Sequence, residues 1–277
     1  MRAVLVVFSI AVLSGAAHGG ASISPDPHGA ASPADEAGAR RPAPDGRQPE
    51  SNGERTHEFR FTRAIYNSGG GGWGRRRGSW ATDYPKADEQ LVLVLERLVD
   101  RLDVAPGENA IRLDDPELRR YPFLYAVEVG HMDLTDAEVA GLRSYLLAGG
   151  FLMVDDFWGT REWAAFERNI RRVLPEYAIV DIALDHALLD TFYEIEEVVQ
   201  VPSISNWRYR RQTHERDGYV PALRGIFDEQ GRLLVVIHFN SDLGDAWEWA
   251  EQPDYPLEFS TYAMQMTANN IIYALSH

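Results

Sequence analysis

The sequence predicts an α/β fold over residues 56–277: a three-layer sandwich in which a mostly parallel sheet is flanked by helices, followed by a C-terminal β-hairpin and a last helix. Three observations carry this expectation. Two nearly continuous apolar runs, residues 122–129 and 151–156, have the composition of strands covered on both faces, as parallel strands are. Amphipathic helical stripes alternate with these and weaker strand signals in the order βαβαβα, which implies right-handed crossovers. Beyond them, two apolar runs enclose a polar turn at residues 228–231, the pattern of a hairpin.

Taken in order, residues 58–65 alternate apolar and polar side chains, as a half-buried strand does, and a glycine-rich stretch follows at residues 69–78. Asp83 and Pro85 form a helix start, the carboxylate as cap and the proline in the first turn. Leu91, Leu95, Leu98 and Leu102 then make one apolar stripe. A short strand is expected at residues 110–113 and a buried one at residues 122–129, ending at Gly130 and His131. Thr135 with Glu138 is a capping box, and Val139, Leu142 and Leu146 mark the buried face of a helix stopped by Gly149 and Gly150. The strand at residues 151–156 ends in two carboxylates. Trp163, Phe166, Ile170 and Val173 give a further helix closed at Pro175, and strand signals return at residues 177–182. Residues 200–218, rich in Trp, Tyr and Arg without a period, predict a long packed loop. Residues 223–227 and 233–239 are the arms of the hairpin, and Met264, Ala268, Ile271 and Leu275 share one face of the last helix.

Upstream of the domain, Met1 and Arg2 precede an apolar run at residues 3–13 and then small residues to Ala21, the tripartite pattern of a secretory leader. The run is well short of the ~20 apolar residues of a membrane span. Residues 1–21 are therefore expected to be a cleaved signal peptide, leaving no stable span. Residues 22–55 are expected to be a disordered linker, because Pro, Ala, Gly and charged residues offer too little apolar surface to offset ordering. The expected location is periplasmic or secreted. Lys plus Arg 27 against Asp plus Glu 42 gives a net charge of -15, which excludes a general nucleic-acid partner. The absence of cysteine excludes disulfides, thiolate metal sites, cysteine nucleophiles and a lipid-modified amino terminus.

Candidate chemistry lies where open α/β sheets place their ligands, outside the carboxyl ends of the strands. Asp155 and Asp156 end one central strand, and Glu128 and His131 end its neighbour. Carboxylates there can hold a hard cation, or act as acid and base if burial separates their pKa values, and His131 can carry a proton near neutrality. The structural alternatives are a capped turn, an arginine pair and a plain turn histidine. Successive strand residues point to opposite faces, so at most one of Asp155 and Asp156 faces a given site. Asn240, Asp242 and Asp245 form an oxygen-rich loop without the spacing of a calcium hand; it is either a ligand loop or an Asx-turn network. Arg75, Arg76 and Arg77 sit in a glycine-rich stretch that lacks a phosphate-loop ending, yet can collect an anion. His238, inside a strand, reads as structural. Trp73, Trp80, Trp207 and Tyr209 suit sugar stacking if they line one groove, and core packing otherwise.

Several ordered segments carry a resemblance: Phe61, Thr62 and Arg63 with Tyr66; residues 80–85; residues 121–125; residues 142–146 running into 149–156; and residues 240–245 with Trp247 and Glu248. Together they resemble an uncharacterised bacterial family, domain of unknown function 4159, over nearly all of the chain from Thr56 onward. The resemblance implies a fold similar to the class I glutamine amidotransferase-like sandwich. That chemistry attacks an amide with a histidine-activated cysteine thiolate, which this chain lacks, and no Gly-x-Ser-x-Gly elbow replaces it. The expected function is an exported, envelope-associated domain that binds a ligand or scaffolds, without amidotransferase activity, its partner an envelope glycan or envelope protein. The alternative is a hydrolase of an envelope polymer, metal-assisted or acid/base, with Asp155 or Asp156 and His131 as acid, base or ligands. The sequence specifies no cofactor.

Overall fold

A computed structural model of the chain describes residues 57–69, 78–99 and 102–277. The signal peptide and linker expected over residues 1–55 lie outside the described residues, as do Trp73, Arg75, Arg76 and Arg77. The elements in chain order are β1 (Arg63–Ile65), α1 (Lys86–Leu98), β2 (Ala110–Arg112), β3 (Phe123–Val127), α2 (Asp136–Leu147), β4 (Phe151–Asp155), α3 (Gly159–Val173), β5 (Ile179–Asp181), α4 (Ile204–Arg210), β6 (Ala222–Phe227), β7 (Leu233–Phe239), α5 (Leu243–Glu248) and α6 (Leu257–Ser276). The strands form one seven-stranded sheet in the order β2-β1-β3-β4-β7-β6-β5. From β2 to β7 neighbours are parallel, and β6 runs antiparallel to both β7 and β5.

The two apolar runs are the sheet's centre for the expected reason. Every residue of β3 and β4 is buried, and successive side chains enter different layers. Phe123, Tyr125, Phe151 and Met153 pack under α1, α5 and α6 against Leu91, Leu95, Trp247 and Met266. Leu124, Ala126, Leu152 and Val154 pack under α2 and α3 against Leu142, Leu146, Phe166 and Ile170. Helices therefore cover the sheet on both faces. The capping box of α2 is complete: Thr135 Oγ1 accepts from the Glu138 amide, and Glu138 accepts from the Thr135 amide at 2.9 Å.

Two expectations are corrected and one is completed. The expected hairpin forms from β6 and β7 and belongs to the sheet: β7 inserts beside β4 and runs parallel to it, pairing Leu152 with Val235, Met153 with Val236 and Val154 with Ile237. A strand buried over nearly all of its seven residues needs cover on both faces, and only the sheet's interior supplies it. The loop expected at residues 200–218 contains α4, capped by Ser203, whose hydroxyl accepts from the Asn206 amide. So short a helix, with only Ile204 and Asn206 buried, leaves no apolar period to read. Of residues 58–65 only Arg63–Ile65 pair as a strand, while Phe59 makes an isolated bridge to Val104.

The same strand buries a charge. Arg63 has no solvent exposure, and its guanidinium forms a two-pronged ion pair with Asp88 of α1, also fully buried. Its remaining nitrogen donates to the carbonyls of Trp80 and Thr82. Arg63→Met is expected to destabilise the domain by about 3–5 kcal/mol, because it strands a buried carboxylate, and Arg63→Met with Asp88→Leu to recover most of the loss. Urea unfolding of the three proteins measures both.

Candidate functional site

Four segments deliver acidic side chains to the carboxyl edge of the parallel strands. β3 runs out into Glu128, β4 into Asp156 and β7 through Asn240 and Ser241 into Asp242, while the turn before α1 contributes Asp83. The β4 and β7 exits stay side by side, because the Asp156 amide donates to the Ser241 carbonyl at 3.0 Å and the Asn240 amide to the Phe157 carbonyl at 3.1 Å. Asp83, Glu128, Asp156 and Asn240 all have left-handed backbone, with φ of 61°, 53°, 52° and 59°. Asp and Asn tolerate this region better than most residues, and such outliers gather at binding sites.

Consecutive aspartates end β4 facing different surroundings. Asp155 points into the layer below α5: its Oδ2 accepts from the Leu243 amide at 2.8 Å, the Gly244 amide at 3.1 Å and the Tyr125 hydroxyl at 3.2 Å. It fastens the start of α5. Burial pushes its carboxyl up to about 7 despite those donors. Asp156 instead lines a cleft of about 190 Å³ together with Asp83, Glu128, Asp242 and Asp245, and with Ser203, Glu215 and Arg216. The carboxylate oxygens that Asp83, Asp156 and Asp242 offer lie within 4.8 Å of one another.

These carboxylates are poorly compensated. Burial first, and then the negative charge of their neighbours, pushes Asp83, Asp156 and Asp242 well above the usual carboxylate range. Burial lifts Asp245 to about 6, although the Ile204 amide donates to it at 2.7 Å. The cation in the cleft wall, Arg216, is drawn 2.8 Å from Glu162. Arg63, the cation behind Asp83, is committed to Asp88. Asp83 Oδ2 is sealed from solvent and has no hydrogen-bond partner.

The expected role of Asp83 as a helix cap is corrected on the same grounds. α1 begins at Lys86 with Pro85 in the cap position and no side-chain cap, and Asp83 contributes only its carbonyl, which accepts from Ala87 at 2.9 Å. Left-handed backbone turns its side chain away from the helix and into the cleft. An acidic residue two positions before a proline has the pattern of a helix start, so Asp83 reads as a cap in the sequence. No sequence signal distinguishes a cap from a ligand there.

His131 ends a single 3-10 turn, its Nε2 lying 3.2 Å from Glu128 Oε2 and 3.4 Å from Glu162 Oε1. The hydrogen bond that its ring donates to Glu128 raises its pKa above the ordinary histidine value. Gly130 is glycine because α3 presses on it: a Cβ there would sit 2.4 Å from that of Glu162. Asp242 and Asp245 of the oxygen-rich loop face the cleft, and Asp242 also caps α5 through the Asp245 amide at 2.8 Å. Asn240 does not line it. Its amide braces two loops instead, accepting from the Gly159 amide at 2.8 Å and donating to the Val220 carbonyl at 2.7 Å.

The aromatic candidates among the described residues, Trp80, Trp207 and Tyr209, do not converge on one groove. Trp80 packs on Tyr84, Trp207 lies edge-on to Phe259, and Tyr209 is exposed. His238 is buried beside Asn270 at 2.9 Å and held by burial far below the usual histidine value, to about 3.

A pH dependence follows for metal-free protein. Asp155, held at about 7, and Asp245, held at about 6, keep protons in the folded state that the unfolded chain has released above its ordinary value of 3.8. The folded state thus binds more protons between about pH 4 and 7, and stability falls as pH rises, by about 1.4 kcal/mol per unit for each group within its window. Urea midpoints measured in chelator from pH 5 to 7.5 are expected to decline. His238, neutral when folded and protonated when unfolded below its ordinary value of 6.5, opposes this fall as the smaller contribution, so a rise would show that it outweighs carboxylates that are paired rather than crowded.

No helix among the described residues is long and apolar enough to cross a membrane. A search of curated proteins finds no match to the chain. A family model does match, over residues 60–275, which takes in every residue of the acidic cleft. The chain belongs to the family described as Domain of unknown function (DUF4159).

Proposed function

We propose that this domain binds a hard divalent cation, Ca²⁺ or Mg²⁺, between Asp83, Asp156 and Asp242, and that the loaded cation holds an envelope ligand in the cleft. One observation carries the reading: three carboxylate oxygens within 4.8 Å of one another, contributed by three separate segments and including an aspartate whose sealed Oδ2 has no partner. Calcium–oxygen distances of 2.3–2.6 Å place any two ligands of one ion at most about 5 Å apart, so the triad fits a single coordination sphere. Oxygen donors without thiolate or imidazole select hard cations over soft ones. Three protein ligands leave coordination positions for water or for oxygens of a glycan or protein entering the cleft. The leader-like residues 1–21 and the tether-like residues 22–55 support a periplasmic or secreted setting, where calcium modules work at Kd values of about 10⁻⁴–10⁻³ M.

The parallel core flanked by helices also supports kinship with the amidotransferase-like sandwich, without its activity, since the chain has no cysteine. A second reading, metal-assisted hydrolysis of an envelope polymer, rests on His131, whose hydrogen bond with Glu128 joins a proton carrier to the wall of the cleft. Its raised pKa suits a general acid.

Thermal unfolding with increasing Ca²⁺ or Mg²⁺ tests the main reading. A cation at 100 times its Kd is expected to add about 2.7 kcal/mol of stability, and Asp156→Asn and Asp242→Asn to abolish the gain while folding normally. No cation-dependent shift in the native protein sinks the proposal. Incubating the loaded protein with purified envelope polymer then separates the two readings: retention without cleavage supports binding alone, whereas cleavage that His131→Gln abolishes without altering cation affinity supports the hydrolase.

A further inference from the structure

We infer that the acidic edge holds two cations rather than one, with Asp83 as a carboxylate bridging them: an inner ion in the cleft between Asp83, Asp156 and Asp242, and an outer ion beside it between Asp83, Asp245 and Glu248, which does not line the cleft. The inference rests on the cation reading above and deepens it. In two sets of three the offered oxygens lie within 4.8 Å of one another, and Asp83 belongs to both. A carboxylate has two oxygens and about four lone-pair sites, so one aspartate can serve two ions at once. Asp83 has the spare capacity for this, because its Oδ2 is sealed and makes no hydrogen bond.

Its position between the two sets is built in. Gly244, in the first turn of α5 between Asp242 and Asp245, lets the turn approach closely: a Cβ there would lie 3.4 Å from Asp83 Oδ2 and 2.9 Å from the Tyr125 hydroxyl. Asp83 is thus seated over α5, with Asp242 before and Asp245 after the glycine. The outer set carries a mobile counter-charge of its own. Lys86 Nζ lies 3.7 Å from Glu248 and 3.8 Å from the centre of the Trp249 ring, on a side chain 43% exposed that can swing away as an ion enters. Asp245 already accepts from the Ile204 amide and the Trp249 indole at 2.7 and 3.1 Å, which fixes its orientation and leaves lone pairs for an ion. Two ions sharing one carboxylate sit about 3.5–4 Å apart, the separation at which a pair clamps both oxygens of a single ligand group.

Mn²⁺ titration of the chelator-stripped full chain, by equilibrium dialysis and electron paramagnetic resonance, tests the inference. Two equivalents per chain are expected, with the hyperfine-split signal of isolated Mn²⁺ broadened by coupling between neighbouring ions. Glu248→Gln is expected to retain one equivalent and restore the isolated-ion signal, with circular dichroism confirming its fold. One equivalent in the native protein overturns the second position and leaves the single-cation reading standing. Two equivalents without coupling overturn the bridge. None overturns both readings, and the native stoichiometry decides the matter even if the variant fails to fold.

Discussion

The buried pair of Arg63 and Asp88 holds the acidic edge of this domain in place. Two charges removed from water are stable only with good geometry and with their remaining donors satisfied. Here the guanidinium is gripped by the carboxylate and by the carbonyls of Trp80 and Thr82, and it lies against the rings of Tyr84 and Tyr125 at 5.5 and 5.0 Å. Strand β1, helix α1 and the turn bearing Asp83 are thereby tied at one point. Through Tyr125 the connection continues to Asp155, and from Asp155 to the first amides of α5. Asp83 and the Asp242–Asp245 loop are thus oriented by one chain of buried polar contacts, none of which needs to touch a ligand.

What this chain of contacts supports is otherwise unfavourable. Several carboxylates share a desolvated cleft, and four non-glycine residues around the strand exits adopt left-handed backbone. Neither improves packing. Mutual repulsion of this kind is relieved either by protons, which raises the carboxyl pKa values, or by a bound cation. Strain and unpaired charge persist in folded proteins where the surrounding structure over-determines them, and the central sheet with helices on both faces does so here.

The fold was largely legible because its signals are local. The continuous apolar runs of β3 and β4, the Thr135–Glu138 box and the stripe of Leu91 and Leu95 each concern residues that meet within one element. The position of β7 was not, since an apolar hairpin carries no mark of which strand it will join, and pairing with β4 is a contact between residues about 80 apart. The site divides in the same way. That ligands collect at strand ends marks out Glu128 and Asp156, and the density of oxygen donors marks out Asp242, whereas Asp83 reads as a cap until the backbone turns it into the cleft, and of the two readings open for Asn240 the structure shows the loop-bracing one.

By itself the sequence determined the α/β class, most of the strands and the longer helices but not α4 or α5, and an acidic, cysteine-free chemistry, because period, composition and capping are properties of neighbouring residues. Only the tertiary structure decided that Asp155 anchors α5 while Asp156 faces the cleft, that Arg63 organises the edge from within, and that Asp83, Asp156 and Asp242 meet. Electrostatic crowding depends on distances of a few ångströms between residues far apart in the chain, and those distances exist only once the sheet has brought its strand ends together.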